Sequence, residues 1–219
     1  MKKLLIFFVL FLAALYTFAQ KWPTVKIDSA VTVQLPKGYE KKDTTGEFSL
    51  VARSSFGTIL VFKTPDNPRV IPDIERDRHL EQYYDDYVQK VGSAAKEGRI
   101  LDERDTLLGD IKVKDFTLAV DSGSGVQYRN FRIMHVDGAS YTFEFLYEDL
   151  HAEYSKPERD KFFSSILVDE GLNRQDQFTT DEPPGMDPLL IGGIGLAILV
   201  IILFLLFRQR KRKRATQRL

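Results

Sequence analysis

From Leu189 to Phe207 the chain runs for nineteen residues without one polar side chain. As a helix rising 1.5 Å per residue, that stretch spans roughly 28 Å, about one hydrocarbon core. Fifteen of the nineteen are Leu, Ile, Val or Phe, so insertion is favourable by roughly 5–8 kcal/mol on the translocon scale. Seven cations follow within the last twelve residues, 208–219. Each would cost about 2.5–3.5 kcal/mol at the bilayer centre, so together they halt the helix and hold the tail in the cytoplasm. The expectation is one transmembrane helix over 189–207, a basic cytoplasmic tail over 208–219 and everything before them outside. This orienting role accounts for the cations without nucleic acid. Gly193 and Ala197 form a small-xxx-small pair, a weak signal for helix pairing.

The opening "MKKLLIFFVLFLAALYTFAQ" has two lysines, an apolar stretch too short to span, and Thr17 and Ala19 at the −3 and −1 positions of a cleavage site. It reads as a signal peptide over 1–19, cut before Gln20. All 31 Asp and Glu fall between residues 20 and 188, against 22 of the 31 Lys and Arg, so a near-neutral chain hides a body of net charge −9. There is no cysteine. That excludes disulfides and a lipid-bearing cysteine, so an exported body has to be held by its core alone.

"NRQDQFTTDEPPGMDP", residues 173–188, is proline-rich and acidic and reads as an extended linker. The segment 20–172 is then one extracytoplasmic domain, long enough to bury a core without staples. Its pattern is α+β. "TVKIDSAVTVQLP" predicts a strand pair ending at the Pro36-Lys37-Gly38 turn, and "EFSLVA" and "TILVFK" predict strands around Ser54–Gly57. Apolar residues at 74, 80, 84, 87, 88 and 91 predict a long helix capped by Asp73 and ended by Gly98. A short strand near Arg99–Leu101 and a strand "DIKVKDFTLAV" come next. Ser155 and Glu158 have capping-box spacing ahead of a last helix burying Phe162, Phe163 and Ile166.

Between these lie "QYRNFRIMHV" and "ASYTFEFLY", flanking Asp137-Gly138. A two-residue Asp-Gly loop is favoured by turn chemistry. It would set Phe131 opposite Glu144 and Ile133 opposite Thr142, however, scattering apolar side chains over both faces. A three-residue loop, Val136-Asp137-Gly138 with Gly138 left-handed, gathers Phe131, Ile133, Tyr141, Phe143 and Phe145 on one face. That register is the expectation.

The succession "VTVQLPKGY", a long helix after two more strands, the hairpin "DGASYTFEF" and the closing "RDKFFSSILV" resembles the PsbP-like domain over about residues 24–169. The resemblance implies an antiparallel sheet sandwiched between helices, and accessory, assembly or poorly characterised extracytoplasmic proteins rather than enzymes. It carries over no metal-binding or partner-binding residue.

Chemistry is sparse. HExxH, GxSxG, P-loop and CxxC motifs are all missing, so no catalytic residue, cofactor or firm metal site is assigned. Glu75, His79, Gln82 and Asp86 share one face of the long helix, with Glu75, His79 and Asp86 as weak metal candidates. That face points roughly 160° from the apolar stripe and reads as solvated. Tyr83, Tyr84 and Tyr87 are weak candidates for a ligand groove between helix and sheet, against the plainer role of core packing. His135 reads as a satisfied, half-buried residue for which the sequence implies no acid partner nearby, and His151 as part of a charged loop. The functional expectation is a single-pass membrane protein whose exported domain is a non-catalytic interaction module with a protein partner in the cell envelope. The alternative is a ligand or metal sensor using the helix–sheet groove.

Overall fold

The computed structural model describes residues 21–44, 47–66, 73–121, 123 and 125–179. The expected signal peptide, the linker from residue 180 on, the expected span at 189–207 and the basic tail lie outside the described residues. Among those described, no helix is long and apolar enough to cross a membrane.

In chain order the elements are β1 (Thr24–Lys26), β2 (Val31–Gln34), β3 (Glu40–Thr44), β4 (Glu47–Arg53), β5 (Thr58–Pro65), α1 (Asp77–Ala94), β6 (Gly98–Leu108), β7 (Ile111–Asp121), β8 (Val126–Val136), β9 (Ala139–Glu148), α2 (Ala152–Ser164) and β10 (Leu167–Val168). Single 3-10 turns occupy Asp149–His151 and Arg174–Gln177. Seven strands form one antiparallel sheet in the order β3-β4-β5-β9-β8-β7-β6, and β1-β2-β10 form a small second sheet. The fold is the expected α+β sandwich. On one face of the large sheet, α1 lays Leu80, Tyr84 and Val88 over Phe116, Leu118, Phe131 and Ile133. On the other, α2 and the small sheet bring Phe162, Ile166, Val31, Val33 and Leu35 against Leu50, Ile59, Val61, Met134, Tyr141, Phe143 and Phe145.

These two cores overturn the expected hairpin register. Val136 pairs with Ala139, Ile133 with Thr142 and Phe131 with Glu144, so the loop is the two-residue Asp137-Gly138. Both loop residues have positive φ, 52° and 64°, as a type I′ turn requires. Gathering the apolar residues on one face assumed that only one face was buried. Here Phe131 and Ile133 serve the α1 core while Tyr141, Phe143 and Phe145 serve the other.

Both ends of α1 differ from the sequence expectation. Asp73 does not cap it; the helix starts at Asp77 behind an extended Arg76 that makes no side-chain cap. The cause is tertiary. Ile74 is fully buried, its N–H donates to Thr179 Oγ1 and its carbonyl accepts from Thr179 N–H, so residues 73–76 are held out of the helix. Glu75 therefore lies off the helix. The far end stops at Ala94, and Gly98 opens β6 instead of capping.

β6 is eleven residues long, not the short strand expected. Its charged centre and a register jump between Leu101 and Arg104 mark a bulge, with Asp102 at φ 52°. The other edge, β3, is Glu-Lys-Lys-Asp-Thr and wholly exposed. Charge on both edges and the bulge on one discourage edge-to-edge pairing. Helix α2 starts at Ala152, so the capping box does not form: Ser155 lies buried in its first turn and donates to Ala152 O. Residues 173–179, read from sequence as linker, are packed. Gln177 is fully buried there, and Phe178 packs on the α1 core.

At the β4–β5 turn the backbone of Gly57 presses on β9. A Cβ added at Gly57 would lie 2.6 Å from the Phe145 ring and 2.7 Å from Leu146 O. Gly57→Ala is expected to lower stability by about 1–3 kcal/mol, the usual cost of overpacking. Urea unfolding of the parent and the variant checks this.

Candidate functional site

On the face that α2 partly covers, β6, β7, β8 and the C-terminal half of α2 line an open cleft of about 430 Å³. Alternation puts Asp115 and Thr117 of β7 and Arg132 and Asn130 of β8 on its floor, in directly opposed pairs. Arg104 of the β6 bulge and Arg159, Asp160 and Phe163 of α2 supply its walls.

The charges in this cleft are held in fixed pairs. Arg132 meets Asp115 through two parallel bonds, Nε to Oδ1 and Nη2 to Oδ2, each 2.8 Å. Its third donor, Nη1, reaches the Phe163 carbonyl at 3.2 Å, and the guanidinium lies 5.6 Å over the Phe163 ring. Arg104, 70% exposed, adds a 3.3 Å contact to the same carboxylate. Arg159 donates to Tyr147 OH at 3.2 Å, and the Lys156 ammonium followed by Arg159 holds the Asp160 carboxyl below the usual range. Asn130 donates to Thr117 Oγ1 at 2.6 Å, which leaves its own buried Oδ1 without a partner among the described residues. The cleft therefore offers arginine donors and one desolvated acceptor around a nearly charge-balanced floor. Such a surface recognises a group that both donates and accepts hydrogen bonds, and it does so by orientation more than by net charge.

A second polar cluster lies on the α1 face. His135, fully buried, has Nδ1 2.8 Å from the Gln177 carbonyl and Nε2 2.9 Å from Asp66 Oδ2. The acid partner that sequence alone did not reveal is thus Asp66, 69 residues away, just past β5. Ser140 is the cross-strand neighbour of His135, so the residue types of a serine, histidine and aspartate set are adjacent. They are not wired as one. Ser140 Oγ bonds Tyr83 OH at 2.7 Å, and both His135 nitrogens already face acceptors, so neither is left to take a proton from Ser140.

Tyr83, Tyr84 and Tyr87 lie between α1 and the sheet, Tyr84 fully buried and the other two half-buried. Tyr84 OH accepts from His135 N–H and donates to Lys112 O, both at 2.9 Å, while Tyr87 OH pairs with Thr142 Oγ1 at 3.2 Å. Burial pushes all three hydroxyls above the ordinary tyrosine value. The metal candidates are not brought together. Glu75 precedes the helix and contacts Arg76, His79 Nε2 accepts from Arg78, and Gln82 and Asp86 are exposed. Among the described residues no cluster of three His, Asp or Glu could hold a metal ion. His151 ends the 3-10 turn before α2 and sits 5.9 Å from the Phe56 ring.

Sequence reasoning missed the cleft, because Arg104, Asp115, Asn130, Arg132 and Arg159 look like ordinary solvated residues until three strands and a helix converge. A weak signal was present. Asp115, Thr117, Asn130 and Arg132 are polar on strands that carry Phe116, Leu118, Phe131 and Ile133 at the intervening positions.

No family model and no curated protein matches the sequence. Solved structures do match. Cyanobacterial PsbP (CyanoP) from Synechocystis sp. PCC 6803 aligns with a TM-score of 0.52 at 12% identity, covering 70% of this chain and 95% of that one. LpqN of Mycobacterium tuberculosis, involved in cell envelope biogenesis, aligns at 0.39 and 8% identity, over 69% and 87% of the two chains. The Saccharomyces cerevisiae Ran-binding protein Mog1p aligns at 0.40 and 10%, over 67% and 95%. The first shows that the fold is PsbP-like, and at this identity it shows the fold alone. The two lower scores carry no argument.

Two outcomes test the polar groups. Asp115→Ala strands Arg132, whose side chain is 14% exposed, and is expected to cost about 3 kcal/mol, as for one partner of a buried pair. Arg104→Ala is expected to cost under about 0.5 kcal/mol, its pair being largely in solvent. Beside Tyr87, burial pushes the Glu144 carboxyl up to about 7, only partly restrained by the Arg129 charge. The folded state thus holds a proton that the unfolded state has released, so this contribution to stability is complete below about pH 4.5 and is lost as pH rises through about 7. Glu144→Gln should match the parent at pH 4 and exceed it by about 2–4 kcal/mol at pH 8, measured by urea unfolding at both values.

Proposed function

We propose that this chain is an exported, membrane-tethered binding module that performs no chemistry of its own. The tether rests on the sequence: a signal-like start, nineteen apolar residues at 189–207 and a cationic end. The absence of chemistry rests on the wiring of His135, the histidine best placed to act as a base, whose two nitrogens are taken by Gln177 O and Asp66. The observation that carries the binding role is the cleft between β6–β8 and α2. There Arg132 and Asp115 are fixed against each other and Asn130 Oδ1 is desolvated without a partner among the described residues. Polar groups ordered in advance lose little entropy when a partner arrives.

The PsbP-like fold, which the sequence resemblance associates with accessory and assembly proteins, fits a module working outside the cytoplasmic membrane alongside other envelope proteins. A second reading has its own support: about 430 Å³ is within the size range of small-molecule sites. In that reading the cleft, rather than the tyrosine groove, takes a small polar ligand.

The lack of native cysteine makes a direct test possible. In intact cells Arg104→Cys should react with a membrane-impermeant maleimide, and Leu219→Cys should react only after permeabilisation. The opposite labelling pattern would sink the tether. A photo-crosslinking residue in place of Arg104 should capture one protein that the same residue in place of Gln82 does not. Thermal stabilisation by a metabolite, with no adduct at either position, would favour the small-ligand reading.

A further inference from the structure

At the other end of α2 lies an exposed aromatic and aliphatic patch that the cleft does not use. Leu150 is 81% exposed, Tyr154 65% and Phe56 38%. Leu150 and Tyr154 flank His151 in the chain, and Phe56 comes to them from the β4–β5 turn. The Phe56 ring stacks on Tyr154 at 5.5 Å and touches His151 at 5.9 Å.

The patch is built to stay exposed. Glu158 accepts from the backbone N–H groups of Ser55 and Phe56, each at 3.2 Å, instead of capping its own helix. Ser54 closes the turn through its N–H and its hydroxyl, both donating to Gly57 O at 2.9 and 3.1 Å. Gly57 is pressed against Phe145 and leaves the turn no room to collapse inward. Phe56 is therefore held up on a turn fixed at both ends.

The rim has one sign. Glu148, Asp149 and Glu153 are exposed beside the patch, and none makes an ion pair among the described residues. The nearest helix cation, Lys156, is tied to Asp160 at 2.7 Å, and Arg159 leans the same way. Three carboxylates without partners around an apolar centre would be repelled by anionic headgroups. They would also oppose a second copy of a body whose net charge is −9.

We infer that Phe56, Leu150 and Tyr154, ringed by Glu148, Asp149 and Glu153, form a docking surface for a partner protein segment carrying an apolar side chain between lysines or arginines. Rigid aromatic anchors with a complementary charged rim are the usual make-up of a binding hot spot. The inference rests on the reading of this domain as a binding module but uses a surface separate from the cleft, so the two can fail independently.

The test uses the purified full-length chain in phosphatidylcholine nanodiscs, with empty nanodiscs as the blank. The probe is a fluorescein-labelled heptapeptide with Leu-Trp-Leu at its centre and two lysines on each side. Two matched peptides are compared with it, one with glutamates for lysines and one with Ser-Gly-Ser for the centre. The first should bind at least ten-fold tighter than either of the others, by fluorescence anisotropy. Leu150→Ser combined with Tyr154→Ser should remove that advantage; both positions are largely exposed, so the fold is expected to survive, and circular dichroism checks it. Arg104→Ala should leave binding unchanged. Equal binding of all three peptides, or binding indifferent to the Leu150 and Tyr154 changes, overturns the inference. Loss on Arg104→Ala alone overturns it too and moves docking to the cleft, leaving the binding-module reading in place. Self-association of the chain through the patch, seen by sedimentation and abolished by the double variant, also overturns it in favour of a second copy.

Discussion

Where the sheet is covered on both sides its central strands have no position that faces water, so there each residue of β7, β8 and β9 has to be apolar or individually partnered. Much of the molecule follows from that constraint. It puts phenylalanines and isoleucines at odd and even positions alike, and it explains why Phe116 and Phe131 stack at 4.5 Å in one core while Phe143 and Phe145 fill the other. Polar residues at such positions acquire specific partners. Lys114, 5% exposed, is drawn down by burial but held well above the ordinary lysine value by Asp85 and Glu103. Since Asp85 is on α1 and Glu103 is on β6, the same ammonium also pins helix to sheet. Lys112 and Glu81 do likewise one step along the strand.

The C-terminal strap obeys the same rule. Gln177 is fully buried, and its amide NH₂ donates to Lys112 O and His135 O at 2.9 Å while its Oε1 accepts from Lys112 N–H at 2.8 Å. A side-chain amide thereby completes the backbone bonding of two strands, as another strand would. Arg174 holds Asp77 at the start of α1, and Asp176 O accepts from Asp137 N–H at the β8–β9 turn. Residues 173–179 bind both elements of the α1 face together, immediately before the segment proposed to lead into the membrane.

How much of this was legible in the sequence depended on the range of the interactions. Elements set by local pattern were readable: the β4–β5 hairpin around Ser54–Gly57, the stripe of Leu80, Tyr84 and Val88 on α1, and the aromatics of α2. Where a distant contact outweighed a local signal, the reading failed. Asp73 has good capping chemistry, but Ile74 is claimed by Thr179 from 105 positions away. Ser155 and Glu158 have the right spacing, but Glu158 is drawn to the 54–57 turn. The hairpin failed for a different reason. Turn chemistry pointed to Asp137-Gly138 correctly, and the assumption of one buried face overrode it. The cleft was illegible because its residues come from three strands and a helix, and nothing local separates Arg132, locked to Asp115, from any exposed arginine.

The two faces consequently divide the work. On the α1 side, His135, Tyr84 and Gln177 are fully buried as well as bonded to neighbouring elements, whereas the paired groups of the cleft lie beside an Arg104 that is 70% exposed. The α2 side is less completely covered: α2 packs chiefly against β9 and shares the face with the small sheet, so over β7 and β8 the cleft stays open. At the start of α2 the chain carries Leu150 and Tyr154 into solvent. Both candidate binding surfaces thus flank α2, one at each end.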